Sequence, residues 1–154
     1  MEKEWILNHL SPKEYKHNLF VLDKEFQWNL EHIQYAIDTC VGVDSNIPII
    51  FCDPCQANDM VSLYGEEENI IPFYVSGLYW REVGAIFIFH YEDYTTTIRT
   101  IFHELRHMQQ DQDDNFRLHF HTDKALPYEK RITEIDAYKW EKIYLEKAYE
   151  LQLL

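Results

Sequence analysis

Five consecutive residues, His103-Glu104-Leu105-Arg106-His107, combine two side chains that bind metals with one that accepts protons. Residues four apart in a helix lie about one turn above each other on the same face, so His103 and His107 can bind a single ion. Glu104 would lie beside that ion and could take a proton from a metal-activated water. This HExxH motif therefore predicts a metal site with its own general base, as in a zinc-dependent hydrolase.

The residues around the motif have the pattern of an amphipathic helix. Apolar side chains recur at helical spacing, at Ile98, Ile101, Phe102, Leu105 and Met108. At about 100° per residue, this stripe would face the core while both histidines project away from it. No proline or glycine interrupts residues 95–112, and an Asp or Thr within residues 93–97 could cap the first turn. We therefore expect a helix that presents both histidines to a cleft.

A catalytic zinc site needs a third protein ligand and an open fourth position. A second helix is predicted over residues 128–151, and one side of it is broadly apolar. Glu134 falls within this side, where a carboxylate is costly to bury without a partner, whereas Asp136 falls at its margin. We expect Glu134 to be the third ligand and keep Asp136 as the alternative. His119 and His121, between the two helices, are further candidates.

The group that stabilises a developing oxyanion is left open by the sequence. Tyr128, Tyr138, His119 or His121 could each donate the required hydrogen bond. Glu141 also falls within the apolar side of the second helix, so the helical projection alone does not single out one carboxylate.

The chain resembles the zincin peptidases, especially their gluzincin-like branch, in which an HExxH helix supplies two ligands and a later helix supplies a glutamate. The resemblance covers about residues 84–146, and HELRHMQQ followed by Pro-Tyr-x-x-Arg-x-x-Glu-x-x-Ala looks like small HExxH proteins of bacterial and phage genomes. It implies bound Zn²⁺, a peptide or protein substrate, His103, His107 and Glu134 as ligands, and Glu104 as the base. The alternative is a catalytically inactive zincin scaffold that binds a regulatory protein partner.

The sequence departs from the relatives of this family in two places. Thermolysin-like enzymes have an aspartate four residues after the third ligand, which supports a histidine, and Tyr138 occupies that position here. The residue that supports the histidines is therefore unassigned. The metzincin pattern HExxHxxGxxH is absent as well, since positions 110 and 113 are Gln and Asp.

The whole chain is expected to form a minimal zincin-like α+β domain over residues 1–154, with N-terminal helices, a small mixed sheet, the HExxH helix and a C-terminal glutamate helix. Helices are predicted over residues 12–18 and 23–40, and strands over residues 48–52, 72–79 and 85–91. In zincins, a strand of this sheet borders the cleft and pairs with extended substrate by β-augmentation.

Composition and charge narrow the functional classes. The 154 residues, 46% of them hydrophobic, suffice for one core, and the net charge of −13 argues against nucleic acid and anionic membranes as partners. The chain lacks both an apolar run of about 20 residues and a signal-peptide pattern, so we expect a cytoplasmic protein. Three cysteines fit reduced thiols, and Cys52 and Cys55 form a lone CxxC that could act as a redox pair.

Overall fold

The computed structural model describes residues 1–42, 46–65 and 75–154. These ranges form an α+β fold of helices around one mixed sheet, as the sequence predicts. In chain order the elements are α1 (Lys3–His9), β1 (Glu14–Lys16), β2 (Leu19–Val21), α2 (Leu30–Cys40), β3 (Ile49–Phe51), α3 (Pro54–Tyr64), β4 (Gly77–Trp80), β5 (Ala85–Ile88), α4 (Tyr94–Gln112), α5 (Asp114–Asp123), a 3₁₀ turn (Tyr128–Lys130) and α6 (Ile132–Glu150).

The sheet has the strand order β1-β2-β3-β5-β4. The three central strands run parallel, whereas β1 and β4 are antiparallel strands at the two edges. The central strands are apolar and buried along their whole length, as expected for parallel strands with helices on both faces. One face packs against α2, α4 and α6, and the other packs against α1 and α3.

Helix α4, which carries the HExxH motif, forms as its sequence predicts. The Asp93 carboxylate caps its first turn by accepting hydrogen bonds from the Thr96 N–H and hydroxyl, both at 2.8 Å. The five residues of the apolar stripe are at most 2% exposed. His103 and His107 are also buried, each 7% exposed, because α6 packs over the face of α4 that carries them.

Strand β4 lies unusually close to α4. Gly77 has no side chain, and a Cβ atom there would lie 2.6 Å from Thr100 Cγ2 and 3.3 Å from Glu104 Cγ. Asp111 of α4 binds residues at the C-terminal end of the same strand. Its carboxylate accepts a hydrogen bond from the Tyr79 hydroxyl at 2.6 Å and forms an ion pair with Arg81 at 2.9 Å. The edge of the sheet is therefore held against the motif helix.

The N-terminal region differs from the prediction. The helix predicted over residues 12–18 is wrong, because β1 and β2 form an antiparallel hairpin there, with β2 buried beside β3. The helix predicted over residues 23–40 begins only at Leu30, where the Asn29 side chain caps the N–H groups of the first turn. Burial of β2 within a parallel sheet depends on distant partners, so local helical spacing is a poor guide to it.

Other boundaries also shift. Residues 114–123, which lie between the two site helices and for which no helix is predicted, form α5. The strand predicted over residues 72–79 is observed as β4, and residues 72–74 lie outside the described residues. Among the helices that the structure describes, none has the length and apolar character needed to cross a bilayer.

Gly77→Ala should lower the free energy of unfolding by about 1–3 kcal/mol, because the added methyl group must push β4 away from Thr100 and Glu104. Urea denaturation would measure the change. Ser76→Ala, at the neighbouring exposed position, is the control and should shift stability by less than about 0.5 kcal/mol. Equal stability of Gly77→Ala and the parent chain would show that β4 can move away from α4 without loss of stability.

Candidate metal centre

The structure brings His103, His107 and Glu134 into one group whose potential ligand atoms all lie within 4.8 Å of one another. Glu134 Oε2 is 3.0 Å from His103 Nε2, and Glu134 Oε1 is 3.0 Å from His107 Nε2. Ligand bonds of about 2.1 Å to a tetrahedral zinc would separate neighbouring ligand atoms by roughly 3.4 Å. Two imidazoles and one carboxylate at this spacing fit a single metal ion.

Glu104 lies beside this triad and is 7% exposed. Its Oε2 accepts a hydrogen bond of 2.9 Å from the backbone N–H of Tyr79 in the edge strand β4. Burial raises the pKa of Glu104 above its ordinary value, against the opposing effect of the two histidines. A raised pKa brings a carboxylate closer to the range in which a general base works near neutral pH.

The histidines and Glu134 are electrostatically coupled. Burial alone would lower the pKa of His103, but the hydrogen bond with Glu134 and the nearby carboxylate of Glu141 outweigh it and raise that pKa to about 10. The pKa of His107 is raised for a similar reason, and that of Glu134 is held well below its usual range by both histidines despite its burial. Without a metal, the carboxylate therefore pairs with positive charge on the imidazoles, which a bound cation would replace.

Asp136, the alternative third ligand, binds Arg106 instead of the two histidines. Its carboxylate forms two hydrogen bonds with Arg106, from Nε at 2.6 Å and from Nη2 at 3.3 Å. His119 and His121 lie on α5, and neither belongs to the ligand group found among the described residues. Of the candidates that the sequence left open, Glu134 is the one that lies at the histidines.

The sequence did not reveal which residues support the two imidazoles. His103 Nδ1 is buried without a hydrogen bond of normal length, and its nearest acidic neighbour is Glu141 Oε1 at 3.5 Å. Glu141 lies seven residues, about two helical turns, after Glu134, whereas the thermolysin pattern has its supporting aspartate four residues after the third ligand. Its position on the apolar side of α6 was the available signal. His107 Nδ1 instead lies 2.9 Å from Gln110 Oε1.

Two tyrosines stand at the open side of the site, each about half exposed. The Tyr128 hydroxyl donates a 2.7 Å hydrogen bond to Glu134 Oε2 and lies 3.3 Å from the Tyr138 hydroxyl. The Tyr138 ring meets the His103 ring edge to face at 4.6 Å. Partial burial, Tyr138 and Glu134 all raise the pKa of Tyr128, so its phenol remains a hydrogen-bond donor at neutral pH.

The first turn of α6, which carries Glu134, is capped by a residue of another helix. Arg131 precedes the helix and makes no side-chain cap. The carboxylate of Asp123, at the end of α5 and 3% exposed, accepts instead from Ile132 N–H at 3.1 Å, from Thr133 N–H at 2.8 Å and from the Thr133 hydroxyl at 2.6 Å. Asp123 therefore fixes the turn immediately before the third ligand.

The CxxC pair does not have the environment of a reactive thiol pair. Cys52 is fully buried at the end of β3, and Cys55 is exposed in the first turn of α3. Burial and the neighbouring Asp53 and Asp23 carboxylates raise the pKa of the Cys52 thiol, whereas redox pairs contain a cysteine of lowered pKa.

Replacing both His103 and His107 with alanine should abolish binding of about one Zn²⁺ per chain, because two of the three ligands are lost. Glu134→Ala should weaken binding more than the roughly 10–100-fold typical of outer partners, and should reduce the rise in melting temperature that zinc produces. Calorimetric titration and thermal melting measure both effects. Glu146→Ala removes an exposed carboxylate of the same helix and should match the parent chain. Full zinc binding by the double histidine variant would contradict the site.

Asp123→Ala should lower the free energy of unfolding by about 1–3 kcal/mol at pH 7, because it leaves the first turn of α6 uncapped. Although burial opposes it, bonding to Thr133 and Ile132 lowers the pKa of Asp123. This stabilisation is therefore present above the unfolded-state pKa and is lost as the pH falls below about 4.

Urea denaturation at pH 7 and pH 3 tests this dependence, with the 92% exposed Asp114 changed to alanine as the control. A difference between Asp123→Ala and the parent chain that is as large at pH 3 as at pH 7 would show that the ionised carboxylate is not the stabilising form.

Comparison with known proteins leaves the activity open. No curated protein and no solved structure matches the chain. The model of a family described as "Protein of unknown function (DUF3920)" matches residues 21–152, a range that contains every residue of the site. Because the match covers most of the sequence, the chain belongs to the DUF3920 family.

Proposed function

We propose that the protein is a zinc-dependent hydrolase, specifically a peptidase, in which Glu104 is the general base. The observation that carries this proposal is the convergence of His103, His107 and Glu134 within 4.8 Å beside a buried carboxylate that is not needed as a ligand. A site that only held a metal would not need a proton acceptor there, although Glu104 also accepts a hydrogen bond from Tyr79 N–H.

The donor set supports zinc as the metal. Two histidines and one glutamate, with a fourth position left for water, are the ligands of a common class of catalytic zinc sites. Bound zinc would polarise a substrate carbonyl and lower the pKa of a water molecule at the site. The remaining chemistry falls to the protein side chains around it.

Glu104 would move the proton. Its Oε2 is hydrogen-bonded to Tyr79 N–H, which orients the carboxylate, and Oε1 can accept a proton from the attacking water. The raised pKa of Glu104 favours uptake of that proton, which the resulting carboxylic acid can then pass to the leaving amine. Tyr128 is the best-placed candidate for the oxyanion donor, because its protonated hydroxyl already lies 2.7 Å from a ligand oxygen.

The edge strand supports an extended peptide as the substrate. Ser76 O accepts a hydrogen bond from Phe89 N–H of the neighbouring chain segment, and alternation along an antiparallel ladder then directs the backbone groups of Gly77 and Tyr79 away from β5. Strand β4 reads Gly-Leu-Tyr-Trp without a charge, whereas the other edge strand, β1, carries Glu14 and Lys16. Charges discourage pairing at an edge, so β4 is the edge suited to β-augmentation.

One contact favours the second candidate function, an inactive zincin scaffold that binds a regulatory protein. The hydrogen bond between Glu104 and Tyr79 N–H occupies the base and an outward-facing backbone donor of β4 at the same time. If this hydrogen bond persisted after a protein partner had bound, Glu104 could not act as a base. The partner would then stay at the metal site without being cleaved.

Glu104→Gln should retain zinc, because Glu104 is not a ligand, while hydrolysis should fall by roughly 10²–10⁴-fold. The assay is mass spectrometry of a peptide mixture of diverse sequence incubated with the zinc-loaded protein, with Glu146→Gln as the surface control. Loss of zinc from Glu104→Gln would mean that Glu104 coordinates the ion. Binding of peptides without cleavage by the zinc-loaded parent chain would favour the scaffold.

A further inference from the structure

We infer that Gln110 is a positioning residue that joins the two ligand-bearing helices and selects the tautomer in which His107 can bind a metal through Nε2. The inference rests on the metal site of the proposed function and not on its hydrolytic activity. Gln110 lies on α4 three residues after His107, and its side chain is completely buried.

Both the oxygen and the nitrogen of the Gln110 carboxamide form hydrogen bonds. Its Oε1 lies 2.9 Å from His107 Nδ1. Its Nε2 donates to the Thr133 carbonyl oxygen and to Asp136 Oδ2, each at 2.8 Å. Thr133 and Asp136 stand on either side of Glu134 near the start of α6. One side chain therefore connects one metal ligand directly with the turn that carries another.

These partners fix the orientation of the amide. The Thr133 carbonyl and the Asp136 carboxylate can only accept hydrogen bonds, so they must face the NH₂ group of Gln110. The oxygen of Gln110 then faces His107, whose Nδ1 must carry a hydrogen atom to complete the bond. When the ring is neutral, as a metal ligand must be, its lone pair is then on Nε2, the atom that lies 3.0 Å from Glu134 Oε1.

A neutral amide at position 110 suits the negative charge that the neighbouring carboxylates already provide. The site already contains the carboxylates of Glu104, Glu134 and Glu141, and Arg106 pairs with Asp136. A neutral glutamine orients His107 without adding a further buried negative charge, which would be costly beside these groups. Glutamate at position 110 could still accept from His107, but it would place a second acceptor against Asp136 and the Thr133 carbonyl.

The test measures zinc affinity by competition with a chelator in three variants. Gln110→Leu, which keeps most of the volume, should weaken zinc binding roughly 10–100-fold. Gln110→Glu should weaken it at least as much, because the bonds to α6 are lost even though the acceptor for His107 remains. Gln112→Leu, at the exposed last position of α4, should bind zinc as the parent chain does.

A spectroscopic signature separates positioning from a general structural effect. In the zinc-loaded parent chain, the ¹H–¹⁵N spectrum of the imidazoles should show a slowly exchanging Nδ1–H of His107 shifted downfield by its hydrogen bond. In zinc-loaded Gln110→Leu, that proton should exchange rapidly and lose the shift, while the signals of His103 stay in place. An unchanged Nδ1–H signal in the variant would overturn the assignment.

The outcomes also separate this inference from the proposed function. Failure of the parent chain to bind zinc would overturn the metal site itself. Zinc binding by Gln110→Leu or Gln110→Glu as tight as that of the parent chain would overturn the role of Gln110 alone. If Gln110→Leu does not fold, Gln110→Asn keeps the amide but shortens it by one methylene, and equal zinc affinity in that variant would overturn the inference.

Discussion

The packing of α4 against the first turn of α6 is the constraint on which the site depends. It buries two imidazoles and partly buries the carboxylates of Glu134 and Asp136, each of which would be costly to remove from water without a partner. The two helices solve this by pairing Glu134 with both His103 and His107, while Arg106 of α4 pairs with Asp136 of α6. The same contacts that make the burial tolerable place three potential ligands around one point.

The first turn of α6 is held by contacts with other elements as well as with α4. Asp123 caps it from α5, Gln110 bonds to it from α4, and Tyr128 reaches Glu134 from the preceding 3₁₀ turn. On the other side of α4, the glycine in β4 allows the sheet edge to approach Glu104. A metal ion would therefore meet a largely preformed site, since its ligands are already held by hydrogen bonds to neighbouring elements.

The sequence predicted the parts of this arrangement that depend on local spacing. The apolar stripe of α4 and the inward position of Glu134 follow from helical periodicity, and a cap within residues 93–97 follows from residue type. The β1–β2 hairpin did not, because β2 is stabilised by a parallel partner about 30 residues away. Asp123 and Gln110 were missed for a related reason: each acts on a group in another turn or another helix, and spacing along one chain segment does not reveal such pairs. Glu141 was placed on the apolar side of α6, but its partner His103 could not be read from that position.

The central claim is that two imidazole nitrogens and one carboxylate oxygen hold zinc in this fold. Zinc K-edge X-ray absorption of the zinc-loaded parent chain tests it most directly, because it reports ligand types and distances. We expect two imidazole ligands at about 2.0–2.1 Å, oxygen in the rest of the shell, and loss of one oxygen or a rearranged shell in Glu134→Ala. Sulfur scattering at about 2.3 Å, or a shell without imidazole, would place the metal elsewhere and contradict the account.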